Sequence, residues 1–158
     1  MPGTQQREEI GRIAELISAI DICMFTTTAE NGELMSRPMS NNREVEWDGD
    51  SYFFAPTEGR LVSQLKADPT AATTYRAQEG WTFVALAGKG SVDDDPELKK
   101  RYWLDELEQW FPNGPDDPGV SLVRFEATSA RWWTEDGDGE AHLASTRRSS
   151  RSATTPAS

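Results

Sequence analysis

The sequence predicts a mainly antiparallel β fold, a small barrel with helices at its ends. Three observations point to it. Short runs of β-branched and aromatic residues recur along the chain. Turn signals such as Asn31-Gly32 and Asp48-Gly49 separate them. Helix signals are confined to three stretches, apolar spacing near residues 10–20 and 58–67 and a cap with a leading proline at 95–109. At 158 residues the chain fits one domain, residues 1–136, followed by a tail, residues 137–158.

The elements follow in order. Ile10, Ile13, Ala14, Leu16, Ile17 and Ile20 recur at helical spacing and form an amphipathic opening helix, a lid packed on the barrel. Strands are expected at residues 22–28, 33–40, 44–47 and 51–55, as a meander. Residues 58–67 form a short helix with Leu61, Val62 and Leu65 on one face, stopped by Asp68-Pro69. Two strands follow, 70–76 and a long 81–92, in which Gly88 and Gly90 mark a bend or a close approach of backbones. Asp95 caps and Pro96 opens a helix reaching about Gln109. A Pro/Gly/Asp loop leads to the last strands, 120–127 and 130–134. From Gly137 the composition turns to Gly, Ser, Thr, Ala and Arg, that of a disordered tail.

Charge and composition exclude several functions. The net charge is −11, which repels phosphate backbones and anionic lipid, so neither nucleic acid nor membrane is an expected partner. No apolar stretch approaches the roughly 20 residues of a membrane helix, and the N-terminus is polar, so a soluble cytoplasmic protein is expected. Cys23 is the single cysteine and reads as a small buried apolar residue. The single histidine, His142, falls in the tail, which argues against a histidine triad. One Cys and one His make no zinc site of the usual kind, and no metal is expected. Gly88-Lys89-Gly90 lacks the third glycine and the helix of a dinucleotide loop. Asp93-Asp94-Asp95 reads as a solvated turn and helix start.

What remains is a set of arginines in an acidic chain. Arg37 sits in a strand, and Arg60 opens the helix after residues 51–55. On neighbouring elements they would form a phosphate cradle with the helix N-terminus, or else be two surface arginines paired with acids. Pro38 removes a ladder donor, so its strand is an edge. A flat ligand with donors and acceptors, such as a flavin, could lie along it. Trp110-Phe111 before a Pro/Gly loop would cover such a ring, with core packing or a dimer contact as alternatives.

At these residues the chain resembles a known family. Met35-Ser36-Arg37-Pro38-Met39, after Thr26-Thr27-Thr28 and Asn31-Gly32, is similar to the Ser-Arg-Pro-Met strand of general stress protein 26-like proteins. These belong to the pyridoxamine 5′-phosphate oxidase-like, FMN-binding split-barrel superfamily. The resemblance continues through Asp48-Gly49, Tyr52-Phe53-Phe54, Gly88, Trp103, the Trp110-to-Pro118 loop and Arg131-Trp132-Trp133, about residues 8–134 in all.

The resemblance implies a six-stranded antiparallel split β-barrel, dimerised with FMN in a cleft between protomers. It implies that Arg37 contacts the flavin or its phosphate side and that Ser36, Pro38 and Met39 lie along the ring. Phe54 and Ala55 would flank the ribityl chain, and Gly59 and Arg60 the phosphate. Trp110, Phe111 and the Arg37 strand would lie near the dimer interface. Two departures stand out. Where the family carries Ser and Lys around the phosphate-side arginine, this chain has Gly59 and Leu61. Where pyridoxamine phosphate oxidases carry an Arg-x-His-x-Arg substrate pattern, it has Glu140-Ala141-His142-Leu143-Ala144. The expected function is an FMN-binding protein, redox-active toward an unidentified small molecule, without vitamin B6 oxidase activity. The alternatives are a non-catalytic flavin-binding stress-response module and a deazaflavin-dependent reductase.

Overall fold

The computed structural model describes residues 3–43 and 45–143. The chain opens with α1 (Thr4–Ile17), which buries Ile13 and Ile17 and exposes its polar face. A hairpin follows, β1 (Ile22–Thr28) and β2 (Leu34–Ser40), turned at Asn31-Gly32 where Gly32 takes φ 87°. Then come β3 (Asp50–Pro56), α2 (Arg60–Ala67), β4 (Thr70–Arg76), β5 (Phe83–Val92), α3 (Pro96–Tyr102), β6 (Val120–Thr134) and β7 (Gly137–His142). Asp95 caps α3, accepting from the Glu97 amide at 3.0 Å, with Pro96 at the first position.

All pairings are antiparallel, in the order β2-β1-β4-β5-β6-β3, and β7 adds to the far half of β6. The end strands β2 and β3 do not pair, so the barrel is split between them. That the sheet nonetheless curls round is shown by its centre. Phe25 of β1 meets Phe53 of β3 at 5.2 Å and Phe125 of β6 at 5.8 Å between ring centroids, both edge-on. Strands far apart in the pairing order thus share one core, closed at its ends by Ile13, Ile17 and Ile20 and by Leu61, Val62 and Leu65. The buried Asp50–Arg124 pair, with bonds of 2.8 and 3.0 Å, ties β3 to β6.

Cys23 is 1% exposed and faces this core, and burial pushes its thiol up to about 12, so it stays neutral and unreactive near neutral pH. Gly88 and Gly90 are the close approaches their spacing implied. A Cβ on Gly88 would lie 2.0 Å from the Glu126 carbonyl oxygen, and one on Gly90 2.8 Å from Leu65.

The structure differs from the sequence expectation at four places. No strand forms over Val45, Glu46 and Trp47. Instead Asn41 turns the chain out of the sheet, its side-chain amide donating to the carbonyls of Ile17 and Ile20, and Trp47 drops into the core with its indole N–H on Ser51. The helix expected to reach Gln109 stops at Tyr102, because Trp103 and Leu104 are extended. A 3₁₀ turn, Asp105–Gln109, follows. The two last strands are one, β6, whose register against β5 shifts between Ala87 and Gly88, leaving Thr128 as the extra residue. Finally, residues 137–142 belong to the domain, not to a tail: β7 pairs along β6, and Gly139 leaves room for the Trp132 ring, which a Cβ would meet at 2.3 Å. Residues 144–158 lie outside the described residues.

Candidate functional site

The split between β2 and β3 carries the candidate site. As its proline implied, β2 is an edge strand, pairing only with β1. Its residues alternate between the outer face of the barrel and the split. Met35, Arg37 and Met39 are half-buried, while Leu34, Ser36 and Ser40 are exposed.

Arg37 is held by neighbouring side chains. Its Nη1 donates to Thr27 Oγ1 at 2.7 Å and its Nη2 to Gln64 Oε1 at 3.0 Å. Thr27 in turn donates to the same Gln64 oxygen at 2.5 Å, and Gln64 Nε2 reaches Met35 Sδ at 3.2 Å. None of these partners is an acid. Among the described residues the ion pairs involve Arg12, Arg43, Arg124 and Arg131, not Arg37 or Arg60. Burial lowers the Arg37 pKa, and the nearby Arg60 charge lowers it further. Two cations near each other are electrostatically unfavourable, and an anion between them relieves both; Glu30 and Glu33 share a cavity with Arg60 but form no ion pair with it. The N-terminus of α2 adds to this. Its N-cap is Gly59, with no side-chain cap and no acid in the first turn, so its leading amides are not satisfied from within.

Beyond Met39 lies a cavity of about 480 Å³ between β2, β3 and the 3₁₀ turn. Pro38, Met39, Phe54, Trp110 and Phe111 all line it. So do Tyr52, Leu104 and Leu107, and among the described residues none that lines it is charged. Trp103 supports the wall, edge-on to Phe54 at 5.1 Å and to Phe111 at 6.4 Å, while Tyr102 stacks on Tyr52 at 3.9 Å. These contacts explain the early end of α3: the extended backbone at Trp103 swings its ring across to β3. Trp110 is 63% exposed at the rim.

The structure thus brings together most of the candidate residues, in two groups. Pro38, Met39, Phe54, Trp110 and Phe111 form the uncharged cavity. Arg37, Arg60 and the Gly59 cap form the cationic end. Two residues stand apart. Ser36 points to the outer face, where its hydroxyl pairs with Thr26 at 2.7 Å. Ala55 is 2% exposed, its methyl in the core. Leu61 is likewise a core residue. Sequence reasoning passed over Thr27 and Gln64, which set the Arg37 geometry. A signal existed: Gln64 falls on the apolar face of α2 with Leu61 and Leu65, where a polar residue requires a partner.

The comparisons with known proteins agree with this architecture. The sequence pattern of the pyridoxamine 5′-phosphate oxidase-like family matches residues 8–154. General stress protein 26 of Bacillus subtilis is 30% identical over 81 residues, an alignment that takes in 40% of this chain and 57% of that relative's length. Among solved structures, a Clostridium acetobutylicum protein related to general stress protein 26 superposes with a TM-score of 0.74 at 20% identity, covering 87% of this chain and 96% of its own. The general stress FMN/FAD binding protein of Xanthomonas citri gives 0.69 at 22% identity, covering 87% and 94%. With a match over most of its length and the split-barrel fold in common, the chain belongs to the pyridoxamine 5′-phosphate oxidase-like family.

Proposed function

We propose that the chain binds flavin through an FMN moiety laid along the split, and that the bound flavin exchanges electrons with a small molecule. The carrying observation is the arrangement on one edge strand. An unpaired arginine pair lies at one end and an uncharged aromatic cavity at the other. Arg37 and Met39 are about 7 Å apart along β2 from the strand rise, a separation a ribityl chain spans. The phosphate would sit between Arg37, Arg60 and the α2 amides, and the ring against Pro38, Met39 and Phe54 under Trp110 and Phe111. Bound there, the flavin supplies the redox chemistry, and the protein supplies position, charge and exclusion of water. The FMN/FAD-binding relative from Xanthomonas supports this reading. Glu140 and His142 instead line a separate cavity with Gln5 and Glu9, which gives pyridoxamine phosphate oxidation no support. Titration of the purified chain with FMN, followed by quenching of flavin fluorescence, is expected to saturate at micromolar concentrations. No binding at tens of micromolar overturns the proposal.

We further propose a homodimer through the outer face of β2, β1, β4 and β5. Ile22, Met24 and Leu34 are 51%, 40% and 75% exposed there. They stand among Thr26, Ser36, Ala72 and Thr74, which carry no charge, with Arg76 and Lys89 further out on β4 and β5. An apolar centre on this face, beside an unpaired edge strand, suits an isologous interface of about 2,000 Å² or more. Light scattering at micromolar concentration is expected to give twice the chain mass. Met24→Glu, which places like charges across the two-fold, is expected to shift it to monomer. A monomeric parent protein defeats this assignment.

A further inference from the structure

The flavin reading fills only part of the uncharged cavity. It uses Pro38, Met39, Phe54, Trp110 and Phe111. Asn42, Tyr52, Leu104 and Leu107 line the same space and are left without a role toward the flavin. At a contact thickness of about 3.5 Å, three fused flavin rings occupy roughly 250 Å³. The cavity measures about 480 Å³, so room for a second flat molecule of one or two rings remains.

The lining defines that molecule. Among the described residues none on the cavity is charged, so an ion entering it would shed water and meet no opposite charge. The 3₁₀ turn Asp105–Gln109 sharpens the selection. Leu104 and Leu107 line the cavity, while Asp105, Glu106 and Glu108 beside them are exposed. Those carboxylates repel approaching anions, in a chain of net charge −11. The polar side chains that do line the space, Ser40, Asn42 and Tyr52, are hydroxyls and an amide, neutral groups that donate to a carbonyl oxygen. Asn42 is fixed in place, its Nδ2 donating to the Tyr102 carbonyl at 3.2 Å. Apolar walls, aromatic faces and neutral donors suit a flat, uncharged ring bearing carbonyl oxygens. Resting on the flavin reading above, we infer that this space receives a neutral quinone of one or two rings as the electron acceptor. The quinone gains two electrons and two protons from reduced flavin and leaves as the hydroquinone, also uncharged. A nicotinamide nucleotide restores the reduced flavin by hydride transfer, with one proton from solvent.

The test is calorimetric titration of the FMN-saturated full chain with naphthoquinone and with naphthoquinone sulfonate, the same rings carrying a fixed negative charge. Naphthoquinone is expected to bind, and the sulfonate to bind about tenfold more weakly or worse. Cys23, the single cysteine, is 1% exposed, so addition of the quinone to a thiol does not contribute heat. Leu104→Glu brings a carboxylate to a half-buried position on the cavity. It is expected to weaken naphthoquinone about fivefold or more while FMN affinity stays within about twofold, and Leu104→Met is expected to leave both within about twofold. Where Leu104→Glu does not fold, the two quinones on the parent chain decide alone. Equal affinity for the two quinones, or no quinone binding by a chain that saturates with FMN, overturns the inference and leaves the flavin reading standing. A chain that does not bind FMN overturns both.

Discussion

Replacing Arg37 with alanine is expected to lower flavin affinity by one to two orders of magnitude and to leave the fold intact. A charge-assisted hydrogen bond contributes about 1.5–3 kcal/mol, and each 1.4 kcal/mol is roughly tenfold in affinity. The contact comes at little ordering cost, because Thr27 and Gln64 hold the guanidinium in place. A structural role predicts something different. If Arg37 served mainly to tie β2 to α2, its loss would lower apo stability. Yet its charge is half-buried and has no ion-pair partner among the described residues, and burial and then the nearby Arg60 charge lower its pKa. Its removal takes away a partly desolvated charge, and Thr27 and Gln64 keep their mutual bond at 2.5 Å. The apo melting temperature should therefore stay close to that of the parent, while the rise produced by saturating flavin should shrink. Arg37→Lys should fall between the two, keeping the charge but losing the fork that engages Thr27 and Gln64 together. Affinity unchanged in Arg37→Ala removes this residue from the site. A large drop in apo stability makes it structural.

How much of this was legible in the sequence can be argued residue by residue. Pro38 identified the edge strand because a missing N–H has a local consequence that no tertiary context alters. Strand β4 fell on residues 70–76 as expected, since Asp68-Pro69 ends the helix before it and the alternation is clean. Elements decided by distant partners were not legible. Val45–Trp47 has strand composition, but Asn41 spends its amide on the end of α1 and leads the chain off the sheet. β7 has the composition of a tail. It forms because β6 presents an open edge and because Gly139 accommodates Trp132. The site shows the same division. Arg37, Pro38, Met39, Arg60, Trp110 and Phe111 were named from local chemistry and family resemblance. Ser36 and Ala55 lie one position off the useful face, because neighbours on a strand point to opposite sides. Thr27 and Gln64 acquire their role only when β1, β2 and α2 meet, across 37 residues of sequence.

The opposite responses of two glycines provide the strictest check on the barrel itself. Gly88→Ala is expected to destabilise the chain by about 3 kcal/mol or more, at or beyond the upper end of ordinary overpacking. The added Cβ would lie 2.0 Å from the Glu126 carbonyl oxygen and 2.9 Å from the Ala127 Cα. Both are backbone atoms of β6, so no side chain can rotate away. Relief requires moving β5 from β6 at the place where the register shifts around Thr128, and β6 also carries β3 and β7. Gly11→Ala has the reverse sign. Gly11 is exposed on α1, and a Cβ there meets nothing within 4 Å. Alanine in a helix interior is about 0.5–1 kcal/mol better than glycine. For a chain of this size each kcal/mol moves the melting temperature by about 2–4 °C. Thermal unfolding followed by circular dichroism should therefore show Gly88→Ala melting at least about 6 °C below the parent and Gly11→Ala melting slightly above it. Equal melting temperatures for Gly88→Ala and the parent would mean that β5 and β6 do not approach as described, and the register shift at Thr128 would have to be placed elsewhere.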